Sequence, residues 1–391
     1  MPSKEIYLDN SATSPLFPEV WQKMQQLGQE DYGNPSSLHA KGVRAKRYLN
    51  RSREIIANVL AVKPEEIYFT SGGTESNNLA LFGCARQHKK RGRHLITTAI
   101  EHPSILEPLR YLEENEGFQV TYLSPDSKGL ISAEQVLQAL RDDTTLVAIM
   151  HVNNEMGSRL PVEKIAQAVK EKNNRVHVHL DAVQSFARLD IKPKQYGIDS
   201  LSISGHKIHG PKGVGALYLS EQSHITPLLF GGGQEQALRP GTENLLGIVG
   251  LAAAVERTLP LVKKNWEQLK KIKENAVSKV LSALPEAIYN GPEPGTDDVP
   301  YIISFCFPGL KGEVLVHALE EENIFVSTGS ACHSRHPEPS HVLLAMGLPR
   351  KAVEGAVRLS LSPDSREEDV AYAVETLVEK VKELTHFLAR R

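Results

Sequence analysis

SLSISGHKIHGPKGVGALYL, residues 200–219, sets a lysine between two apolar stretches. SLSIS and GVGALYL both read as buried strands, each short, apolar and bounded by turn residues. Gly210, Pro211 and Gly213 build a tight turn between them, and Lys207 follows a strand that ends in Ser-Gly-His. Upstream the pattern repeats. EEIYFTS (65–71), HLITTAI (94–100), LVAIMHV (146–152) and RVHVHLDA (175–182) read as strands. Helical patterns at 74–90, 103–116 and 161–173 lie between them. This alternation implies an α/β fold with a mainly parallel sheet covered on both faces. On such sheets ligands collect beyond the carboxyl ends of the strands, so the residues after each strand are the candidates for function.

Downstream the pattern changes. Residues 245–284 form one long helical pattern interrupted at Pro260, followed by NGPEPGTDDVP (290–300). Strand patterns YIISFCF, IFVST and AVRLSLS and two helical ones then outline a smaller α+β domain. The expected division is a large domain of residues 15–258 and a small one of 1–14 and 259–391. The small domain is expected to carry a mobile cysteine loop at about 328–340.

A net charge of −2 over 391 residues gives no ground for nucleic acid or an anionic membrane as a partner. No stretch of signal-peptide or transmembrane length is read. Three cysteines (Cys84, Cys306 and Cys332) cannot form a disulfide framework, so a cytoplasmic location is expected.

Beyond strand 65–71, Gly72, Gly73 and Thr74 open a helix whose free N–H groups suit a phosphate. A glycine turn with a threonine cap explains the same residues. Glu101-His102 follows the next strand, and Asn153, Asn154 and Glu155 the one after. His177, His179 and Asp181 share one strand face. They could be metal ligands, or Asp181 could pair with a cationic ring. Lys207 could form an imine with an aldehyde; desolvation and positive neighbours would lower its ordinary pKa of about 10.4. Lys212 reads as a solvated turn residue. Taken together, an anion cradle (Gly73, Thr74), an imine lysine (Lys207), an acid (Asp181) and a ring cover (His102) fit pyridoxal phosphate.

In sequence the chain resembles the cysteine desulfurases, within the class V aminotransferase branch of the fold-type I pyridoxal phosphate enzymes. The likeness is carried by GNPSSLHAKG, FTSGGTESNN, EHPSI, HVNNEMG, DAVQS, SGHKIHGPKG, GGGQEQALRPGTEN and STGSACHS, in that order. The resemblance implies that Lys207 holds the cofactor and moves protons. It implies that Asp181 pairs with the ring nitrogen, Gln184 bonds the phenolic oxygen, and His102 stacks on the ring. Gly73, Thr74, Ser204 and His206 would hold the phosphate, and Thr242 would reach the phosphate in the neighbouring subunit of a homodimer. Asn154 and Arg358 would grip the substrate carboxylate. Cys332 matches the nucleophile that takes sulfur from L-cysteine as a persulfide, leaving L-alanine. The sulfur would pass to an acceptor protein such as an iron–sulfur scaffold or a tRNA-thiolating enzyme. His333, Arg335 and His336 depart from the family's pattern, in which Ser or Thr commonly follows the cysteine. Their loop is of the longer kind found in the iron–sulfur-assembly branch. Rival readings are a selenocysteine lyase, a sulfide-releasing cysteine or cystine lyase, and a metal-binding scaffold using His177, His179 and Asp181 with Cys332. Cys84 and Cys306 lie in apolar runs and read as core thiols.

Overall fold

The structure is a computed structural model that describes residues 5–329 and 339–389. Its strands, in chain order, are β1 (Ile6–Tyr7), β2 (Ile67–Thr70), β3 (His94–Thr98), β4 (Gln119–Leu123), β5 (Thr144–Met150) and β6 (His177–Asp181). They continue as β7 (Ser200–Ser204), β8 (Gly215–Leu219), β9 (Ile288–Tyr289), β10 (Ile302–Cys306), β11 (Ile324–Phe325) and β12 (Ala356–Ser360). Among the described residues, seven form one sheet in the order β2-β8-β7-β6-β5-β3-β4. From β7 through β6, β5 and β3 to β4 the neighbours run parallel, while β8 opposes both β7 and β2. The expected mainly parallel sheet is therefore present, and its two defining strands flank Lys207 as antiparallel neighbours.

The reason for the topology is visible in the burial. β3, β5, β6, β7 and β8 are buried along their whole length, as apolar runs covered on both faces must be. One core, below the sheet, includes Ile96, Val147, Val178, Leu180, Leu201 and Ile203. Another, on the other face, joins Leu95, Leu146, Ala148 and Leu217 to the apolar side of helix Gly73–His88. β4 was not anticipated. It is an edge strand, exposed or half-buried throughout, so QVTYL carries little burial signal.

A further core gathers the antiparallel β9, β10 and β12 with helix Glu367–Ala389. Helix Leu245–Ala283 feeds the core below the sheet, the first core, with Ile248, Leu251 and Val255, and the core around β9, β10 and β12, the second core, with Leu269, Ile272 and Val280. The expected interruption at Pro260 does not occur, because the helix continues through it. Pro260 lies on the exposed side, where water can take the carbonyl that proline leaves unpaired. This helix also corrects the membrane reading. By length and composition it could cross a membrane, yet 61% of its apolar window is buried inside the molecule. The boundary placed near residue 258 falls within it.

Candidate active site

The carboxyl ends of β2, β5, β6 and β7, with the turn after β3, surround a cavity of about 590 Å³. Its lining brings together Gly73, Thr74, His102, Asn154, Asp181, Gln184, Ser204, His206, Lys207 and Arg358 from the sequence reading. β8 runs the other way, so it adds Lys212 and Gly213 from its amino end. Lys212 is exposed, as a solvated turn residue should be, and also lines the cavity. Thr242 does not line this cavity and is exposed. Cys332, His333, Arg335 and His336 lie outside the described residues.

Lys207 Nζ donates to the carbonyl oxygens of Ser11 and Ala12, at 2.6 and 2.8 Å. The amino-terminal segment thereby reaches across the molecule to fix the lysine head. Gln184 Nε2 donates to the same Ser11 carbonyl at 3.0 Å, while its Oε1 is buried with no partner. Such an orphaned acceptor normally costs free energy unless something fills the gap.

Asp181 ends β6 and is buried. Its Oδ1 accepts from the Val183 N–H at 2.9 Å and its Oδ2 from Asn77 Nδ2 at 2.8 Å. Asn77 also donates to Ser104 Oγ, and that hydroxyl lies 2.8 Å from His102 Nδ1. The Ser104 N–H donates to the same Nδ1, so a neutral His102 carries its proton on Nε2. One amide therefore ties Asp181 and His102 together. Asn77 was missed in the sequence, although it stands one helical turn beyond Gly73 and hence on the same face.

The same amide settles the histidine ambiguity. Asn77 Oδ1 meets His179 Nε2 at 2.9 Å, and His179 Nδ1 and His177 Nε2 both bond Ser200 Oγ. Burial pushes the two imidazoles down, to about 3 and about 4, so both are neutral at pH 7. They form a hydrogen-bonded support behind Asp181.

Helix Gly73–His88 points its amino end at the cavity, where free N–H groups and the dipole favour an anion. A Cβ on Gly73 would stand 2.6 Å from Val183 Cγ2, and one on Gly215 would stand 2.6 Å from Gly72 Cα. Only glycine permits the helix start, β8 and Val183 to converge here. His206 is pushed down to about 4 by burial and then by Lys207 and Lys212, and its Nδ1 lies 3.2 Å from Thr13 Oγ1.

Arg358, 2% exposed on β12, also lines the cavity. Its Nη2 pairs with Asp9 Oδ1 at 2.7 Å and its Nη1 donates to the Asn154 carbonyl at 2.8 Å. Nε is buried without a partner. Asp9 had no role in the sequence reading.

Glu101, next to His102, is fully buried. Its Oε1 accepts from Thr98 Oγ1 and the Met150 N–H, but Oε2 has no partner. Burial raises the carboxyl from its ordinary 4.5 to about 8. The folded protein therefore holds a proton that the unfolded chain releases, and stability falls as pH rises between those values. Glu101→Gln, which mimics the neutral acid, should melt progressively above the parent as pH goes from 5 to 8. Parallel Tm-versus-pH curves for the two proteins would refute this.

The cavity fits a small anionic aromatic aldehyde. Its lining offers an amine, a carboxylate, an amide acceptor left open and a helix amino end. The comparisons agree with that chemistry. The aminotransferase class-V family matches residues 6–372. A cysteine desulfurase IscS of Clostridium botulinum (strain Hall) is 42% identical over 381 residues, covering 97% of this chain and 95% of that protein. The cysteine desulfurase IscS of Dictyoglomus turgidum is 39% identical, covering 98% and 97%. A solved NifS-like protein superposes with a TM-score of 0.90 at 38% identity, covering 97% of this chain and 100% of its own. A structure described as SspA in complex with cysteine gives 0.78 at 37%, covering 92% and 99%. With matches that run nearly end to end and strand ends furnished in the family's order, the chain belongs to the class-V aminotransferases.

Proposed function

We propose that this enzyme is a pyridoxal-phosphate-dependent cysteine desulfurase that converts L-cysteine to L-alanine and leaves a persulfide on Cys332. The observation that carries this reading is the shared cavity of Lys207, Asp181 and the Gly73 helix start, lined also by Gln184 with its unpartnered Oε1. Lys207 holds the cofactor aldehyde, Asp181 the ring nitrogen, Gln184 the phenolic oxygen and His102 one ring face. Gly73, Thr74, Ser204 and His206 hold the phosphate. When bound, the cofactor supplies an electron sink for the substrate's Cα. With the cofactor bound, Lys207 Nζ would move protons at the substrate's Cα. Asn154 and Arg358 orient the substrate carboxylate, for which a guanidinium fork is well suited.

The overall step balances without an outside oxidant. The C–S bond of cysteine breaks, an S–S bond forms at Cys332 Sγ, and the thiol's hydrogen ends on the methyl group of alanine. The persulfide sulfur then goes to an acceptor thiol, such as that of an iron–sulfur scaffold protein. Named relatives that are cysteine desulfurases support this reading, as does the neighbour solved with cysteine.

The working unit in this proposal is a cytoplasmic homodimer, with Thr242 serving the other subunit's phosphate site. Large apolar side chains left exposed, among them Phe230 at 85% and Leu38 at 97%, support a second copy as their cover. The proposal also divides the chain at residue 258, with residues 1–14 joining the small domain.

Gly73→Ala should weaken pyridoxal phosphate binding about tenfold, since overpacking of 1–3 kcal/mol falls on the phosphate end. A cofactor titration followed by absorbance measures this, and an unchanged affinity would remove Gly73 from the cradle. The function itself is tested by mass spectrometry after adding L-cysteine to the holoenzyme. One extra sulfur on the Cys332 peptide, with alanine formed, is expected. Sulfide release with no sulfur on Cys332 would favour a simple lyase.

A further inference from the structure

Arg188 carries a buried charge, 6% exposed, and no carboxylate pairs with it among the described residues. A buried cation without a counter-ion must be compensated by dipoles or ring faces. Two groups do this here. Nη2 donates to the Lys207 carbonyl at 2.5 Å, and the guanidinium carbon sits 4.5 Å from the centroid of the Tyr301 ring. Nη1 is buried and has no partner. Tyr301, 3% exposed, donates its hydroxyl to the Gln184 carbonyl at 2.9 Å. Its ring belongs to the second core, where it meets Trp266 edge-on.

We infer that Arg188 is a positioning residue for Lys207, and that its stack on Tyr301 locks Lys207 and Gln184 into one geometry relative to the second core. The inference rests on the pyridoxal phosphate reading. Both residues would touch the cofactor, at its aldehyde and its phenolic oxygen, which are adjacent on the ring. Arg188 holds the main chain of one, and Tyr301 holds the main chain of the other. The guanidinium on the ring face joins the two holds. The lysine head is already fixed by Ser11 and Ala12. Fixing its carbonyl as well leaves the side chain anchored at both ends. An error of about 1 Å in such a position can cost about 100-fold in rate.

The test uses Arg188→Met, Arg188→Lys and Tyr301→Leu, each freed of cofactor and then supplied with pyridoxal phosphate. Uptake rate is read by absorbance, and the geometry of the bound cofactor by visible circular dichroism per mole bound. Arg188→Met should take up cofactor about 10- to 100-fold more slowly and lose most of the dichroic signal. Arg188→Lys, which keeps a cation under the ring, should recover most of that signal. Tyr301→Leu removes the ring but leaves the guanidinium, and should lose the signal as Arg188→Met does. Parental uptake and dichroism in Arg188→Met would overturn the inference. Should that variant fail to fold, parental dichroism in Tyr301→Leu would overturn it instead. Failure of the unaltered protein to take up pyridoxal phosphate is a different result, and it sinks the cofactor reading itself.

Discussion

Lys207→Ala is expected to give a folded, colourless protein whose alanine production falls by more than about 10³-fold. The side chain projects from a short turn after β7, and its amine donates to two carbonyls of the amino-terminal segment. Its removal therefore leaves the sheet and both cores untouched. On the proposed function, what disappears is the covalent anchor for the cofactor and the amine that moves protons at the substrate's Cα. The phosphate cradle at Gly73 remains, so weak noncovalent binding persists. Borohydride should fix the cofactor to the Lys207 peptide in the parent and to nothing in the variant. Cofactor fixed to a peptide bearing Lys212 would move the anchor and refute the assignment.

Cys332→Ser is expected to keep the yellow colour and the cofactor yet lose sulfur transfer by about 10³-fold or more. The other two thiols cannot replace it. Cys84 is buried, and burial drives its pKa far up; Cys306 is likewise buried and pushed up to about 11. A thiol that holds its proton at pH 7 and has no path to solvent cannot attack the sulfur of cysteine. Their reading as core thiols, made from apolar neighbours in sequence, agrees with this burial. Sulfur found by mass spectrometry on Cys84 or Cys306, or activity retained in the variant, would defeat the prediction.

The part of the site that lies at strand ends was legible because the strands that carry it run parallel and end on one side of the sheet. Each apolar run stops at a polar residue, and the parallel topology carries those residues to one rim. Lys207, Asp181, Gly73 and His102 are all of this kind. Residues that act through side-chain pairing across long separations were not legible. Asp9 meets Arg358 across 349 positions, and Arg53 meets Glu235 across 182, and no local pattern reports either pair. The two strand histidines stayed ambiguous for the same reason, because their partners Asn77 and Ser200 lie on other elements. In the fold, β4 was missed because an edge strand lacks the buried alternation that betrays an inner one. Pro260 misled in the opposite sense: a helix anchored in a core on either side tolerates one missing hydrogen bond on its wet face.

The Asp9–Arg358 pair has a consequence for how an amino acid enters. Between turnovers the guanidinium is not a bare charge waiting for a ligand; it rests against an acid of its own chain. On the proposed function, an arriving carboxylate meets a fork whose Nη1 is aligned by the Asn154 and Gly329 carbonyls and whose Nη2 is held by Asp9. Capture is then an exchange between two anions, nearly neutral in charge. Such a seat grips loosely, selects by shape, and lets its product go.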